Sequence, residues 1–453
     1  MPEYLALVAE DRLDDAVNVI RRRNPFVSVC GRVCDHPCER RCRRADLDEP
    51  LAVRALKRFA ADHAKKYEAT LMPPAKGKAQ VAIVGAGPAG LSCAYFLALM
   101  GRRSVVFESQ PIPGGMLALG IPEYRLPKTI LEKDIEFILR HGVELRTGTP
   151  VRDLADLRKE GFKTIFLATG AQKAAMLRIP GEEFDGVQDS LEFLRARALG
   201  RTPRSGEVVA VVGGGNSAID AARSALRLGA RKVLILYRRT REEMPAYEEE
   251  IEEALNEGAE LHVLVAPKQI LGESGKVVGI ELLRMRLGDA DATGRRRPVP
   301  IEGSEFTLEC DMVLPAIGQV ASVEPAVGVE LTAGKTVLAD MATLQTSAAD
   351  VFAGGDVVSG GGSAIEAIAS GQRAAMAIDR RLGGKGALPP EVSYSLRRPT
   401  EEELETTAPR VAEEMLPVGE RRRNFQEVVR GLSPASACAE AGRCLRCDLE
   451  RRM

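Results

Sequence analysis

The sequence predicts an α/β chain in which two Rossmann-like dinucleotide-binding domains follow a small helical, cysteine-bearing domain. Two glycine-rich turns and one cluster of cysteines carry that expectation. The first turn reads Gly85-Ala86-Gly87-Pro88-Ala89-Gly90 after the apolar run Val81 to Val84, and Glu108 closes the next run, Ser104 to Phe107. The second reads Gly213-Gly214-Gly215-Asn216-Ser217-Ala218 after Val208 to Val212, but its next strand, Val233 to Tyr237, ends in Arg238-Arg239. Strand, glycine turn and helix in succession bring backbone close to a pyrophosphate and aim a helix N-terminus at its charge. A carboxylate at the end of the second strand accepts from ribose hydroxyls, whereas a guanidinium pair suits a 2′-phosphate. The first site is therefore expected to hold FAD and the second NADPH, with NADH still possible because such arginine pairs also stand in chains that use it.

Composition narrows the class. At 453 residues the chain can bury two or three cores, and 63 Lys plus Arg against 64 Asp plus Glu leave no basic bias toward nucleic acid. The absence of tryptophan and 4% aromatic content also disfavour base-stacking platforms. No apolar run is long enough to span a bilayer, and Met1-Pro2-Glu3-Tyr4 has no secretory signature, so no membrane insertion and a cytoplasmic location are expected.

At the N-terminus, Tyr4-Leu5, Val8 and Leu13 to Ile20 recur at helical spacing and predict helices over residues 1–75. Cys30, Cys34, Cys38 and Cys42 follow one another at uniform intervals there, and Cys438, Cys444 and Cys447 close the chain. Disulfides fit a chain without an export signal poorly. Structural zinc usually shows paired Cys-x2-Cys knuckles, which leaves zinc, inert thiols or an iron–sulfur cluster. The flavin and nicotinamide context favours the cluster. Arg21, Arg22, Arg23, Arg32, Arg40, Arg41, Arg43 and Arg44 surround these cysteines, either as a solvated face or as cations that stabilise a reduced anionic cluster. Cys93 and Cys310 read as small buried apolar residues.

Several strings together resemble one family. Asn24-Pro25-Phe26, Cys30-Gly31-Arg32-Val33-Cys34, Pro37-Cys38-Glu39 and Cys42, then Ala55-Leu56-Lys57-Arg58-Phe59, are similar to the N-terminal domain of the glutamate synthase small subunit family. The first glycine turn, Gly114-Gly115-Met116-Leu117, Gly120 to Pro127 with Arg125, Tyr237-Arg238-Arg239, Met244-Pro245-Ala246 and Gly354-Gly355-Asp356 extend the likeness from about residue 3 to residue 380. The resemblance implies a helical iron–sulfur domain (1–75), a linker from Met72 to Gly77, an FAD domain (79–200 and 311–382) and an NAD(P)H domain (205–310) inserted within it. The strand Thr164 to Ala168 with Thr169-Gly170 would mark the first crossing, and Met312 to Ala316 the return to the FAD domain. The resemblance places Gly115, Met116 and Arg125 at the flavin and puts Asp356 on its ribityl chain; Asp356 could otherwise be a plain turn or cap residue. A helix from near Ser363 would point its N-terminus at the isoalloxazine.

Residues 386–453 read as a tail whose charge runs, Glu401 to Glu405 and Arg421 to Arg423, are solvated faces. Its ending, Arg443-Cys444-Leu445-Arg446-Cys447, resembles the motif that the family carries upstream of Asn-Pro-Phe. Seven candidate ligands make one 4Fe-4S cluster, while a second needs a non-cysteine ligand or a partner's thiolate. Cys30 and Cys438 are the weakest of the seven. No Ser/His/Asp set or dithiol relay stands in the body, so no catalytic side chain is expected: FAD would convert a two-electron hydride into single electrons for clusters. The leading expectation is an electron-transfer subunit that works with NAD(P)H and a partner redox subunit or ferredoxin-like acceptor in a hetero-oligomer. A glutamate synthase small subunit proper and a redox-sensing docking scaffold are the alternatives.

Overall fold

Val81–Val84, apolar throughout and buried at every position, is the central strand of a five-stranded parallel sheet. The strand order is Val351–Ala353, Thr164–Leu167, Val81–Val84, Ser104–Phe107, Glu144–Arg146. Chain order reverses beside Val81–Val84, which opens the crevice where open α/β sheets bind ligands. The buried helices Pro88–Leu99 and Ala364–Arg381 pack against each other on this unit. The computed structural model describes residues 1–65, 77–290, 294–321, 323 and 328–449, so the expected linker, Met72 to Lys76, lies outside the described residues.

The second glycine turn belongs to a sheet of the same plan: Met312–Pro315, Val208–Val212, Lys232–Tyr237, Glu260–Val263, all parallel. One expected boundary is corrected here. Met312–Pro315 pairs with Val209 to Val212 and is the fourth strand of the nucleotide domain, not the first strand of the returning FAD domain. The physical reason is internal likeness. A Cβ on Gly85 would stand 2.4 Å from the carbonyl oxygen of Ala168, and one on Gly213 would stand 2.3 Å from that of Ala316. Each turn thus lies against the strand that ends in Ala-x-Gly, and the two strands look alike in sequence. Chain returns to the first sheet only at Val351–Ala353.

Between Glu260–Val263 and Met312–Pro315 the chain makes an antiparallel excursion that the sequence reading did not foresee. Val265–Glu273 and Lys276–Ala290 pair as a long hairpin, with Arg296–Pro300 and Phe306–Glu309 added along the second strand.

The N-terminal unit is helical: Pro2–Ala9, Leu13–Arg21, Val27–Val33 and Val53–His63. Its core takes in Leu432, Ala437, Ala441 and Cys444, because the C-terminal helix Pro434–Gly442 packs on Pro2–Ala9 and Val53–His63. Residues 432–444 are therefore a wall of the first domain and not a free tail. Among the described residues no helix is long and apolar enough to cross a membrane.

Candidate functional site

The first cavity, with about 1190 Å³ of empty space, lies at the crevice of the first sheet. Gly85, Gly87, Pro88, Ala89, Glu108, Gly115, Met116, Arg125, Thr169, Gly170, Gly355 and Asp356 all line it. Of the expected first-turn residues Gly90 does not; a Cβ there would stand 2.0 Å from the Gly85 carbonyl oxygen, so it serves helix–strand contact. Glu108 is buried and accepts from the backbone N–H of Ala86 at 2.8 Å and of Gln110 at 2.8 Å, which fixes the glycine turn with its carboxylate at the cavity wall. Ser363 caps the helix Ala364–Arg381, and Ser363, Ala364 and Ala367 face the cavity, so that helix's positive end points inward. Burial, with the Glu366 carboxylate beside it, pushes Asp356 up to about 6.

Arg125 has a second engagement. Its guanidinium sits 2.7 Å from Asp220 on the helix Asn216–Arg227 and 3.0 Å from Glu250 on the helix Glu248–Asn256. Arg223 and Arg227 pair with Glu257, and Arg421 with Glu253 at 2.5 Å. Arg421 is 3% exposed, which overturns the expectation of a solvated Arg421 to Arg423 face for its first member. This buried network ties the loop before Pro127, the nucleotide domain and the C-terminal segment together. Apart from Asp220, its carboxylates come from the Glu-rich run at 248–257, which gave the sequence reading no signal because a charged helix is normally solvated.

The second cavity, about 1300 Å³, is lined by Gly213, Gly214, Gly215, Ser217, Arg238 and Arg239. Asn216 instead faces the first cavity and accepts from the Tyr247 N–H at 3.1 Å, while Ala218 is buried in the core. Ser217 and Gln319 line both cavities, so the two meet there. Arg295, from the antiparallel excursion, also lines the second cavity and was not singled out in the sequence.

The cysteines divide. Cys444 lies within electrostatic reach of Cys447 and Cys42, and Cys38 within reach of Cys34. Cys30 is wholly buried among residues of the first core, and burial pushes its thiol up to about 12. Cys438 is exposed, with its thiol over the Ala9 carbonyl oxygen at 3.5 Å. Burial raises Cys34 and Cys38, and the Lys57 ammonium opposes it at both; Cys444 is pushed by burial up to about 11. Lys57 acts on Cys30, Cys34 and Cys38, Arg54 also on Cys34, and Arg446 on Cys444, whereas Arg32 pairs with Asp62 and Glu427, and Arg44, which also lies within reach of Cys42, pairs with Asp48. Among the described residues no three His, Cys, Asp or Glu side chains stand close enough to grip a single metal ion. Thiolates around an iron–sulfur cubane stand farther apart than around one ion, so this spacing fits the cluster better than zinc. The Tyr4 hydroxyl supports that fit: it is buried without a hydrogen-bond partner and lies near Cys38, Cys34 and Cys444. Cys93 and Cys310 are buried, as expected.

A family model described as pyridine nucleotide-disulphide oxidoreductase matches residues 79–371, and one described as dihydropyrimidine dehydrogenase domain II, 4Fe-4S cluster, matches residues 1–69. The NADP(+)-dependent formate dehydrogenase subunit beta of Moorella thermoacetica is 42% identical over 99% of this chain and 69% of that protein. The NADPH-Fe(3+) oxidoreductase subunit beta of Geobacter sulfurreducens is 38% identical over 99% of this chain and 73% of that one. The glutamate synthase [NADPH] small chain of Escherichia coli (strain K12) is 35% identical over 83% and 85% respectively. Among solved structures, Mycobacterium tuberculosis FprA in complex with NADPH superposes with a TM-score of 0.58 at 19% identity, over 67% of this chain and 84% of that one. Thioredoxin reductase of T. acidophilum gives 0.51 at 22% identity, over 67% and 99%. These two likenesses show the fold alone.

Proposed function

Since the chain belongs to the pyridine nucleotide-disulphide oxidoreductase family and carries a 4Fe-4S domain, we propose that it is the NADPH-facing electron-transfer subunit of a larger redox enzyme. It is an NAD(P)H-dependent FAD and iron–sulfur oxidoreductase, like the relatives it matches. The observation that carries the proposal is a juxtaposition: the nucleotide cavity opens into the flavin cavity at Ser217 and Gln319, and Val33 lines the flavin cavity one residue before Cys34. When bound, FAD supplies the step between a two-electron hydride and clusters that accept one electron at a time.

The chain's own residues do the positioning. Glu108 holds the first glycine turn and offers its carboxylate to the adenosine ribose; Asp356 and the N-terminus of Ala364–Arg381 face the other end of the cofactor. The Arg125–Asp220 pair holds the nucleotide domain against the flavin cavity, which keeps the meeting point narrow and excludes water. Cys42, Cys444 and Cys447 form one ligand group. Cys34 and Cys38 form the start of a second, nearer the flavin, which a non-cysteine side chain or a partner's thiolate would complete. The relatives named above differ in terminal reaction, and what their names share is NADP(H); this chain is assigned electron exchange between NAD(P)H and a further redox component, in the cytoplasm, with a partner subunit or ferredoxin-like acceptor.

Anaerobic stopped-flow mixing with NADPH and with NADH, beside iron and sulfide analysis, tests this. Flavin bleaching faster with NADPH, with about four or eight irons per chain, is expected. No bleaching with either nucleotide would leave a docking scaffold instead.

A further inference from the structure

The two arginines that end the Lys232–Tyr237 strand are not equivalent. Arg238 is exposed at the rim of the second cavity. Arg239 is 7% exposed, and its Nε donates to the carbonyl oxygen of Arg296 at 2.8 Å. That bond fastens the antiparallel excursion to the cavity rim. Three more contacts fasten it: the Arg296 N–H donates to a Glu243 carboxylate oxygen at 3.3 Å, and Arg295 donates to the Tyr237 hydroxyl at 3.1 Å and the Glu243 carbonyl at 3.1 Å. Arg295 consequently stands at the same cavity as Arg238 although more than fifty residues of chain separate them.

We infer that the 2′-phosphate of NADPH is gripped by Arg238 and Arg295, one from the parallel sheet and one from the antiparallel excursion, while Arg239 is a positioning residue that holds the second arginine in place. The inference rests on the NADPH reading above and redistributes its charge contacts. Arg238 and Arg239 follow the strand in a bend, and with the Arg239 Nε committed to the Arg296 carbonyl, a second guanidinium from the excursion lets a phosphate dianion be bound from two sides, which satisfies more of its oxygens. Arg238 is exposed at the cavity mouth, whereas Arg239 is buried against the excursion. The Glu243 carboxylate beside these arginines is held by Thr240 and by the Arg296 N–H.

The test uses the full flavin-loaded chain and calorimetric titration with 2′,5′-ADP and with ADP, backed by KM values for NADPH and NADH. Arg238→Ala and Arg295→Ala are each expected to weaken 2′,5′-ADP by about ten- to a hundredfold and to leave ADP within about twofold. Arg239→Ala is expected to weaken 2′,5′-ADP selectively as well, with partial recovery in Arg239→Lys, whereas a merely structural residue would weaken both ligands alike. Unchanged 2′,5′-ADP binding in Arg295→Ala, alongside a large loss in Arg238→Ala, would overturn the two-sided grip while keeping the NADPH reading. A wild-type chain that binds 2′,5′-ADP no better than ADP would overturn both.

Discussion

Asp134 shows how much one residue can carry between domains. It is 0% exposed on the helix Lys128–Leu139 of the FAD unit, and one carboxyl oxygen accepts from the Val29 N–H of the cysteine domain at 2.9 Å. Burial, only partly opposed by the hydrogen bonds from Val29 and Ser28 and by Arg21, pushes its pKa up to about 6 from 3.8. A carboxyl raised in the folded state contributes stability that is complete below about pH 4 and is lost as pH rises through 6. Asp134→Asn keeps an acceptor for Val29 and removes the buried charge. It should therefore be more stable than wild type at pH 8, by an amount on the order of 3 kcal/mol, and lose that advantage toward pH 4. Denaturant titrations at the two pH values measure the difference; an advantage that is the same at both would refute it. At this scale the sequence was legible where chemistry is local. Glu108 and Asp356 follow a turn or a glycine pair, and both line the flavin cavity. Lys57 and Arg295 were not legible, because only the folding of distant segments brings them to the cysteines and to the nucleotide cavity.

Among the elements, the short helix Pro434–Gly442 has the largest consequence for its length. Ala437 is 0% exposed against the helical domain, and Cys444 follows where this helix ends. The helix closes the apolar core around Leu5, Leu7 and Leu56 and leads into Cys444 and Cys447, the proposed ligands beside Cys42. Ala437→Asp places an unpaired carboxylate in that core and should cost roughly 2–5 kcal/mol locally. The variant is expected to lose iron and retain FAD, since the flavin cavity is built on other elements; FAD loss in step with iron would contradict the division. A nine-residue helix with alternating small residues gives little periodic signal, which is why the segment read as a tail. The same limit explains the misplaced strand Met312–Pro315, whose Ala-x-Gly ending repeats that of Thr164–Leu167. Pairing partners decide the sheet to which such a strand belongs, and pairing is non-local.

Taken as a whole, the molecule is a relay assembled by ion pairs across domain boundaries. The Arg125, Arg223, Arg227 and Arg421 guanidiniums and the Asp220, Glu250, Glu253 and Glu257 carboxylates join three segments of chain with few exposed atoms. Buried pairs of this kind add little net stability but penalise any arrangement that separates them, so they specify one docking of the nucleotide domain. Two nucleotide domains and a cysteine domain were legible from glycine turns and cysteine spacing because those motifs carry their chemistry in a few consecutive residues. The docking was not, because Arg125 reads as a flavin residue and each other partner of the network reads alone as an ordinary surface charge.

The central claim is that electrons from NADPH reach a cluster held by cysteines from both ends of the chain. It is tested most directly by rapid anaerobic mixing of NADPH with wild type and with Cys444→Ser/Cys447→Ser, reading flavin absorbance, low-temperature paramagnetic resonance and bound iron together. The variant is expected to bleach its flavin at the wild-type rate and to lose about one cluster's worth of iron with its resonance signal. Unchanged iron and an unchanged signal in the variant would contradict it.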